Sequence, residues 1–214
     1  QLGVDFIQAT VDVRALHTAL KLSVEDAARE ARYSFLAKTA SAIHADAIVL
    51  GHTSDDQAET ILMNIIRGCG IAGLQGMLDS SVRFVEGQNT RLLRPMLSLS
   101  KNDTSQYCVN MGISPRFDES NSSLEPVRNR IRLELFPLLK KFNPKISDSI
   151  VSLSKNAAHV RNHLEHEVES VSGKIAQKGH GQITLNKKAF QALDEALQSF
   201  LIRQVILDLK GDLK

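Results

Sequence analysis

Four polar side chains, His52, Asp55, Asp56 and Glu59, crowd into eight residues directly after the apolar run Ala47–Leu50 and its terminator Gly51. Such a run reads as a parallel strand covered on both faces, and in an open α/β sheet ligands gather beyond the carboxyl end of a strand. A second concentration follows: Arg128, Arg130 and Arg132 alternate within five residues, just after a polar loop made of Asp118, Glu119, Ser120, Asn121 and Ser122. Between Arg91 and Lys145 there are ten lysines or arginines against five acids, a local excess that a polyanion would feel. Acids at a strand mouth and cations from a later loop would together make a phosphate-handling pocket.

The elements that must position these groups are legible in outline. Thr53 or Ser54 caps a helix with Asp55 and Asp56 in its first turn, and Ile61, Leu62, Ile65 and Ile66 form its inward stripe. At about 100° per residue Asp55 and Glu59 share one margin of that stripe, while Asp56 turns further toward solvent. The plainer reading is that these acids only cap the helix and that Gly68 and Gly70 only end it. The three alternating arginines cannot share one helical face, so at least one is expected to point into a site. Arginines are disfavoured at a helix start unless an anion completes it, and the plainer account is a basic helix start in solvent.

Around this centre the chain reads as α/β. Val4–Val13 is expected to be a β-branched strand, followed by a short helix or turn over Val13–Leu20. Ser23 and Asp26 stand in capping-box spacing before a helix with apolar Ala27, Ala28, Ala31, Phe35, Leu36 and Ile43. Strand, helix, strand, helix is the rhythm of a parallel sheet. Arg29, Glu30, Arg32 and Tyr33 are the polar members of that helix and read as its solvated face. Val82–Val85 and Arg91–Leu93 flank a hairpin turn at Glu86–Asn89, and Pro95, beside Arg94, stops the strand. Ser100–Met111 is expected to be an amphipathic helix, with Ser100 and Asp103 as a capping box and Gly112 ending it.

From Asn143 to Gln177 a long helix carries a near-heptad seam of Ile150, Leu153, Ala157, Val160, Leu164, Val168, Val171 and Ile175, suited to a second domain or a partner subunit. His159 and His163 have the spacing of a shared metal ligand pair, but no HExxH order exists, and exposed polar residues are the better account of His159, His163 and His166. Lys178–Gly181 reads as a linker, Gln182–Asn186 as a short strand and Lys187–Lys210 as a helix before Gly211.

The 214 residues, 43% hydrophobic and 23% charged, are enough for one domain or one and a half. A net charge of +2 does not by itself argue for nucleic acid. Cys69 and Cys108, without CxxC spacing, argue against a disulfide framework or a structural zinc and make a reducing cytosol the default. No apolar stretch approaches the roughly 20 residues of a membrane span. The start at Gln1, running almost at once into an interior-like strand, reads as a fragment.

GHTSDDQAETILMNIIRGCGIAGLQGM, residues 51–77, resembles the second signature of the bacterial tRNA(Ile)-lysidine synthetase family of PP-loop ATP pyrophosphatases, GHxxDDQAET followed by LxRGxGxxGLxGM. A second segment resembles that family's DxSN…RNRIRxELLPLL signature, through Asp118, Ser120, Asn121, Arg128–Arg132, Glu134, Leu135 and Pro137–Leu139. The resemblance implies a Rossmann-like N-type ATP pyrophosphatase domain over residues 1–142, a connecting helix over 143–177, and the start of a smaller, mainly helical substrate domain over 178–214. It implies an enzyme that joins free lysine to the wobble cytidine of tRNA(Ile), with ATP adenylating the base and magnesium neutralising phosphate charge. Asp55, Asp56, Glu59, Arg67, Arg128 and Arg130 would then be catalytic, with Asp55 and Asp56 also on magnesium. His52, Gly68, Gly70 and Arg132 would bind ATP, and Glu119, Asn121, Asn129, Arg29 and Arg32 the other substrates.

The resemblance also implies a cytoplasmic protein with no membrane partner, and the long helix leaves room for a homodimer. The family's first signature, SGGxDS, does not occur here, so the isolated chain is expected to have little or no activity. Thr53 stands where many relatives carry a histidine. Three alternatives stay open: a tRNA-thiolating PP-loop enzyme, although that group uses paired cysteines; a non-enzymatic RNA-binding module; and a purely structural oligomerisation fragment, which only the long seam supports.

Overall fold

A computed structural model describes residues 3–116 and 127–210. Contacts divide the chain into two units, Gln1–Met63 with Gly76–Val151, and Asn64–Gln75 with Ser152–Lys214. The boundaries expected from the sequence fall at 142 and 177.

In the first unit, helix α1 (Val13–Leu20) starts because the Asp12 carboxylate accepts from the amides of Arg14 and Ala15, and it ends on Lys21 at φ 53°. Helix α2 (Val24–Ala42) starts on Ser23, whose hydroxyl oxygen accepts from the Asp26 amide. A three-stranded sheet follows in the order β1 (Ile48–Val49), β3 (Gln88–Leu93), β2 (Ser80–Val85). β1 runs parallel to β3 with Val49 opposite Leu93, and β2 runs antiparallel to β3.

The α/β class holds, with three corrections of detail. Val4–Asp12 forms no strand: Val4, Phe6, Ile7 and Val11 are exposed, and no strand lies beside them among the described residues. β propensity alone cannot supply a ladder partner. β1 is covered on one face only, since Ile48 is buried and Val49 is 64% exposed. Tyr33, read as solvated, is buried with Ala37, Ile48, Val85 and Leu92. The guanidinium of Arg83 covers its ring at 4.5 Å and also pairs with Glu30, so the polar neighbours of Tyr33 close over it.

The hairpin turn is tighter than expected. Glu86 at φ 52° and Gly87 at φ 78° make a two-residue turn, and Gln88 and Asn89 open β3. Both central residues at positive φ match the twist of the flanking strands. β3 ends one residue before Arg94 and Pro95. Helix α5 (Lys101–Asn110) has the full Ser100–Asp103 capping box but buries no residue, so its amphipathic pattern finds no core. A helical segment then runs through α6 (Val127–Arg130), a π-helical turn (Ile131–Leu135) and α7 (Phe136–Phe142), anchored by buried Ile131 and Phe136. The long helix α8 spans Ile146–Ile175.

The second unit contains α4 (Ile71–Leu74), the part of α8 from Ser152 onward, a hairpin of β4 (Ala176–Gly179) and β5 (Gln182–Leu185), α9 (Lys187–Gln191) and α10 (Glu195–Lys210). The segment read as a linker is therefore half strand, Lys178 and Gly179 belonging to β4 and His180 and Gly181 to the turn. The helix read as continuous over 187–210 is broken: Asn186 caps α9, and the Asp194 carboxylate accepts from the Leu197 amide to start α10. Val168, Ile175 and Leu201 make the core, lined by Leu185, Phe190 and Leu197. Along the α8 seam Ile150, Ala157, Val168 and Ile175 are buried, while Leu153 and Val160 are 43% and 49% exposed. His159, His163 and His166 are exposed.

Candidate active site

Helix α3 (Ser54–Ile66) carries the acids, and its first turn is built by them. Of the two candidate caps it is Thr53 that serves: its amide and hydroxyl both donate to Asp56 Oδ2 at 2.9 Å, and its carbonyl accepts from the Gln57 amide. The helix is rotated relative to the expected stripe. Gln57, Ala58, Glu59 and Ile61 are buried, whereas Ile65 and Ile66 are 44% and 60% exposed. Asp56 turns inward rather than toward solvent, because the Thr53 donors and a guanidinium hold it there.

Glu59, 2% exposed, is the centre. Arg132 grips it with two parallel bonds, Nε to Oε1 at 2.7 Å and Nη2 to Oε2 at 2.8 Å. Arg128 Nε donates to Oε2 at 2.9 Å, and Lys101 Nζ to Oε1 at 3.2 Å. Arg128 Nη2 also reaches Asp56 Oδ1 at 3.2 Å. Asp55 completes the group differently: its Oδ2 accepts from the Lys101 backbone amide at 2.7 Å, so an acid of α3 caps α5. Three carboxylates thus meet three cations, and Asp55, Glu59, Lys101 and Arg132 line a cavity of about 100 Å³ together with Phe136, Lys140 and Ser147.

The electrostatics follow. Burial pushes the Glu59 carboxyl up, but hydrogen bonds from Arg132 and Arg128 and the Lys101 charge outweigh it and hold it below its ordinary 4.5. Asp56 shows the same balance, burial opposed by the Thr53 amide and the Lys101 charge, and lies below 3.8. The Glu59 hydrogen bond raises Arg132 further. His52, at the mouth of β1, is pushed below 6.5 by burial; the Asp56 charge opposes this, and the charges of Arg94, Arg128 and Arg32 add to it.

Not every expected residue joins the cluster. Arg128 and Arg132, four apart, share one helical face, while Arg130 faces away and pairs with Glu134 at 3.4 Å, with 61% of its side chain exposed. The anion that completes this basic helix start is the chain's own Glu59. Arg29 and Arg32 are exposed, Arg29 lying 5.7 Å from the Tyr33 ring centroid. Asn129 is half-buried and bonded. Glu119 and Asn121, with Asp118, Ser120 and Ser122, lie outside the described residues. Arg67, Gly68 and Gly70 belong to the second unit; Arg67 is exposed, Gly68 (φ 79°) ends α3 and Gly70 precedes α4.

Several signature residues prove to be structural. The buried Gln57 amide donates to the Met77 carbonyl at 3.0 Å and accepts from the Met77 amide at 2.7 Å. Gly76, at φ 67°, leaves no room for a Cβ, which would lie 2.7 Å from Gln57 Oε1. In the second unit Asn64 Nδ2 donates to the Gly73 carbonyl at 2.8 Å, and a Cβ at Gly73 would collide with Cys69 at 2.4 Å.

Sequence reasoning missed Lys101. Its signal was the one that marked the arginines, a cation opening a helix against the dipole. The magnesium expected on Asp55 and Asp56 does not fit this arrangement. Asp55 Oδ2 holds a backbone amide, Asp56 Oδ2 holds Thr53, and Asp56 Oδ1 faces Arg128, with Lys101 and Arg132 each 3.6 Å away. A divalent ion there would replace bonds already made and meet three positive charges.

The fold and the site define an α/β domain with a charged crevice at the carboxyl ends of two parallel strands. Residues 1–139 match the PP-loop domain family, and the chain belongs to it. It is 37% identical over 214 residues to a tRNA(Ile)-lysidine synthase of Dehalococcoides mccartyi, covering 100% of this chain and 45% of that protein. It is 30% identical over 213 residues to the protein of the same name from Clostridioides difficile, covering 99% and 45%. The chain therefore spans a little under half the length of these relatives. Among solved structures it aligns with the U34-tRNA thiolase NcsA of Methanococcus maripaludis at 17% identity and TM-score 0.45, over 74% of this chain and 48% of that one.

Proposed function

We propose that this chain is part of a cytosolic ligase that attaches lysine to the wobble cytidine of tRNA(Ile). In the first step the base oxygen attacks the α-phosphorus of ATP and pyrophosphate leaves. In the second the lysine amine displaces AMP from the adenylated base and releases a proton. The names of the relatives support the reaction, and one observation of geometry carries the reading. Arg128 and Arg132 converge on buried Glu59 at the mouth of β1, so two partly buried guanidinia are held in place where phosphate would arrive.

In this reading Arg128, Arg132 and Lys101 receive phosphate oxygens, and Glu59 and Asp56 hold those cations in place. The exposed Leu153 and Val160 of α8, seven residues apart, are what favours a homodimer. Light scattering of the chain and of its Leu153→Glu variant tests that point, and an unchanged monomer mass in both would end it.

The test of the ligase is lysine incorporation into tRNA(Ile) by the full-length protein, with and without Glu59→Gln. Loss of incorporation, with tRNA retained on a filter, supports the reading. RNA binding that falls steeply with salt and ignores ATP and Glu59→Gln would favour a binding module instead. The 214 residues alone, which contain no SGGxDS, are expected to show little or no turnover; lysidine formation by them would refute that part.

A further inference from the structure

Beside the neutral cluster around Glu59 stands a cation with no counter-charge among the described residues. Arg94 follows β3 directly and is 6% exposed. Its Nη1 donates to the Leu78 carbonyl at 2.7 Å and the Ser81 hydroxyl at 3.0 Å, both uncharged. Among the described residues its Nε is buried without a hydrogen-bond partner and Arg94 forms no ion pair. A buried guanidinium left this way costs several kcal/mol unless an anion arrives.

The second buried orphan among the described residues is His52 Nδ1, on the loop that leaves β1. The two loops are neighbours: the parallel ladder continues with the Leu50 amide donating to the Leu93 carbonyl at 2.8 Å, and a Cβ at Gly51 would touch Met96 Cε at 3.4 Å. A guanidinium can only donate, so whatever satisfies Arg94 is an acceptor, and a neutral imidazole can present Nδ1–H to the same group. The fields of Arg94, Arg128 and Arg32 all reach His52, against the single acid Asp56. A charged guanidinium beside a second donor suits an anion with several oxygens, as phosphate has.

We propose that Arg94 and His52 form a phosphate-binding subsite at the carboxyl ends of β3 and β1, beside the Glu59 cluster and additional to it. The phosphate belongs either to the nucleotide or to an RNA backbone, and the nucleotide case rests on the ligase reading above. Binding itself does not, because it is read without turnover.

The experiment follows the Arg94 Nε–H and His52 ring resonances by NMR in the 214-residue chain as pyrophosphate is added. Both are expected to move together, with about tenfold weaker binding in Arg94→Lys and a smaller loss in His52→Gln. Prior saturation with ATP that abolishes the shift assigns the site to the nucleotide, and abolition by a tRNA anticodon stem-loop but not ATP assigns it to RNA; either supports the subsite. Resonances unmoved at ~10 mM pyrophosphate, or shifts that persist unchanged in His52→Gln, overturn it, even if Arg94→Lys fails to fold.

Discussion

Each unit has an apolar core, but the two differ in what secures their long helices. The first has Glu59, Arg128 and Arg132 tying α3 to the segment around the π-helical turn, whereas the second rests on Val168, Ile175 and Leu201 with partly buried aliphatic and aromatic neighbours. An ionic tie is directional and expensive to leave half made, while an apolar core is indifferent to pH and degrades in proportion to the volume removed. The contrast places the adjustable part of the molecule in the unit that carries the crevice.

The largest break in that contrast is Glu59→Ala. It leaves two guanidinia and an ammonium to share Asp56, and should cost about 3–5 kcal/mol in urea unfolding monitored for the first unit. Leu201→Ala should cost the second unit roughly 2–4 kcal/mol, with no dependence on salt between low and high ionic strength. Acid reproduces the first loss in part. Glu59 and Asp56 titrate below 4.5 and 3.8 in the fold, so their contribution is complete above those values and disappears as pH falls through the lower folded ones. Hydrogen exchange should show α3 and the Val127–Phe142 segment loosening below pH 4.5 while α10 stays protected; simultaneous loss in both would erase the distinction. Ser100→Ala, which removes a cap on the edge of the first unit, should cost about 1 kcal/mol. Arg130→Ala, whose partner Glu134 is exposed, should change thermal stability by less than about 0.5 kcal/mol.

What could be read from residues alone was whatever is decided locally. Ser23 and Ser100 announced their helices because a cap and its acceptor lie three residues apart, and the acid stretch after β1 announced a strand mouth. Val4–Val13 misled because a strand exists only with a neighbour, and Tyr33 because its burial depends on Arg83, fifty residues on. The site was legible as a set of charges but not as a wiring. That Arg128 and Arg132 rather than Arg130 reach Glu59 follows from their four-residue spacing once α3 is seen opposite them. That Arg94 lacks a counter-charge among the described residues leaves no trace in composition, since a lone arginine after a strand is usually surface.

The four-residue interval between Arg128 and Arg132 is in effect the tooth spacing of a ratchet, with buried Ile131 as its pawl. Removing or adding one residue between them would leave every charge in the chain intact yet swing one guanidinium about 100° off its carboxylate. Homologous proteins that keep this grip should therefore tolerate substitutions here far more readily than changes in length.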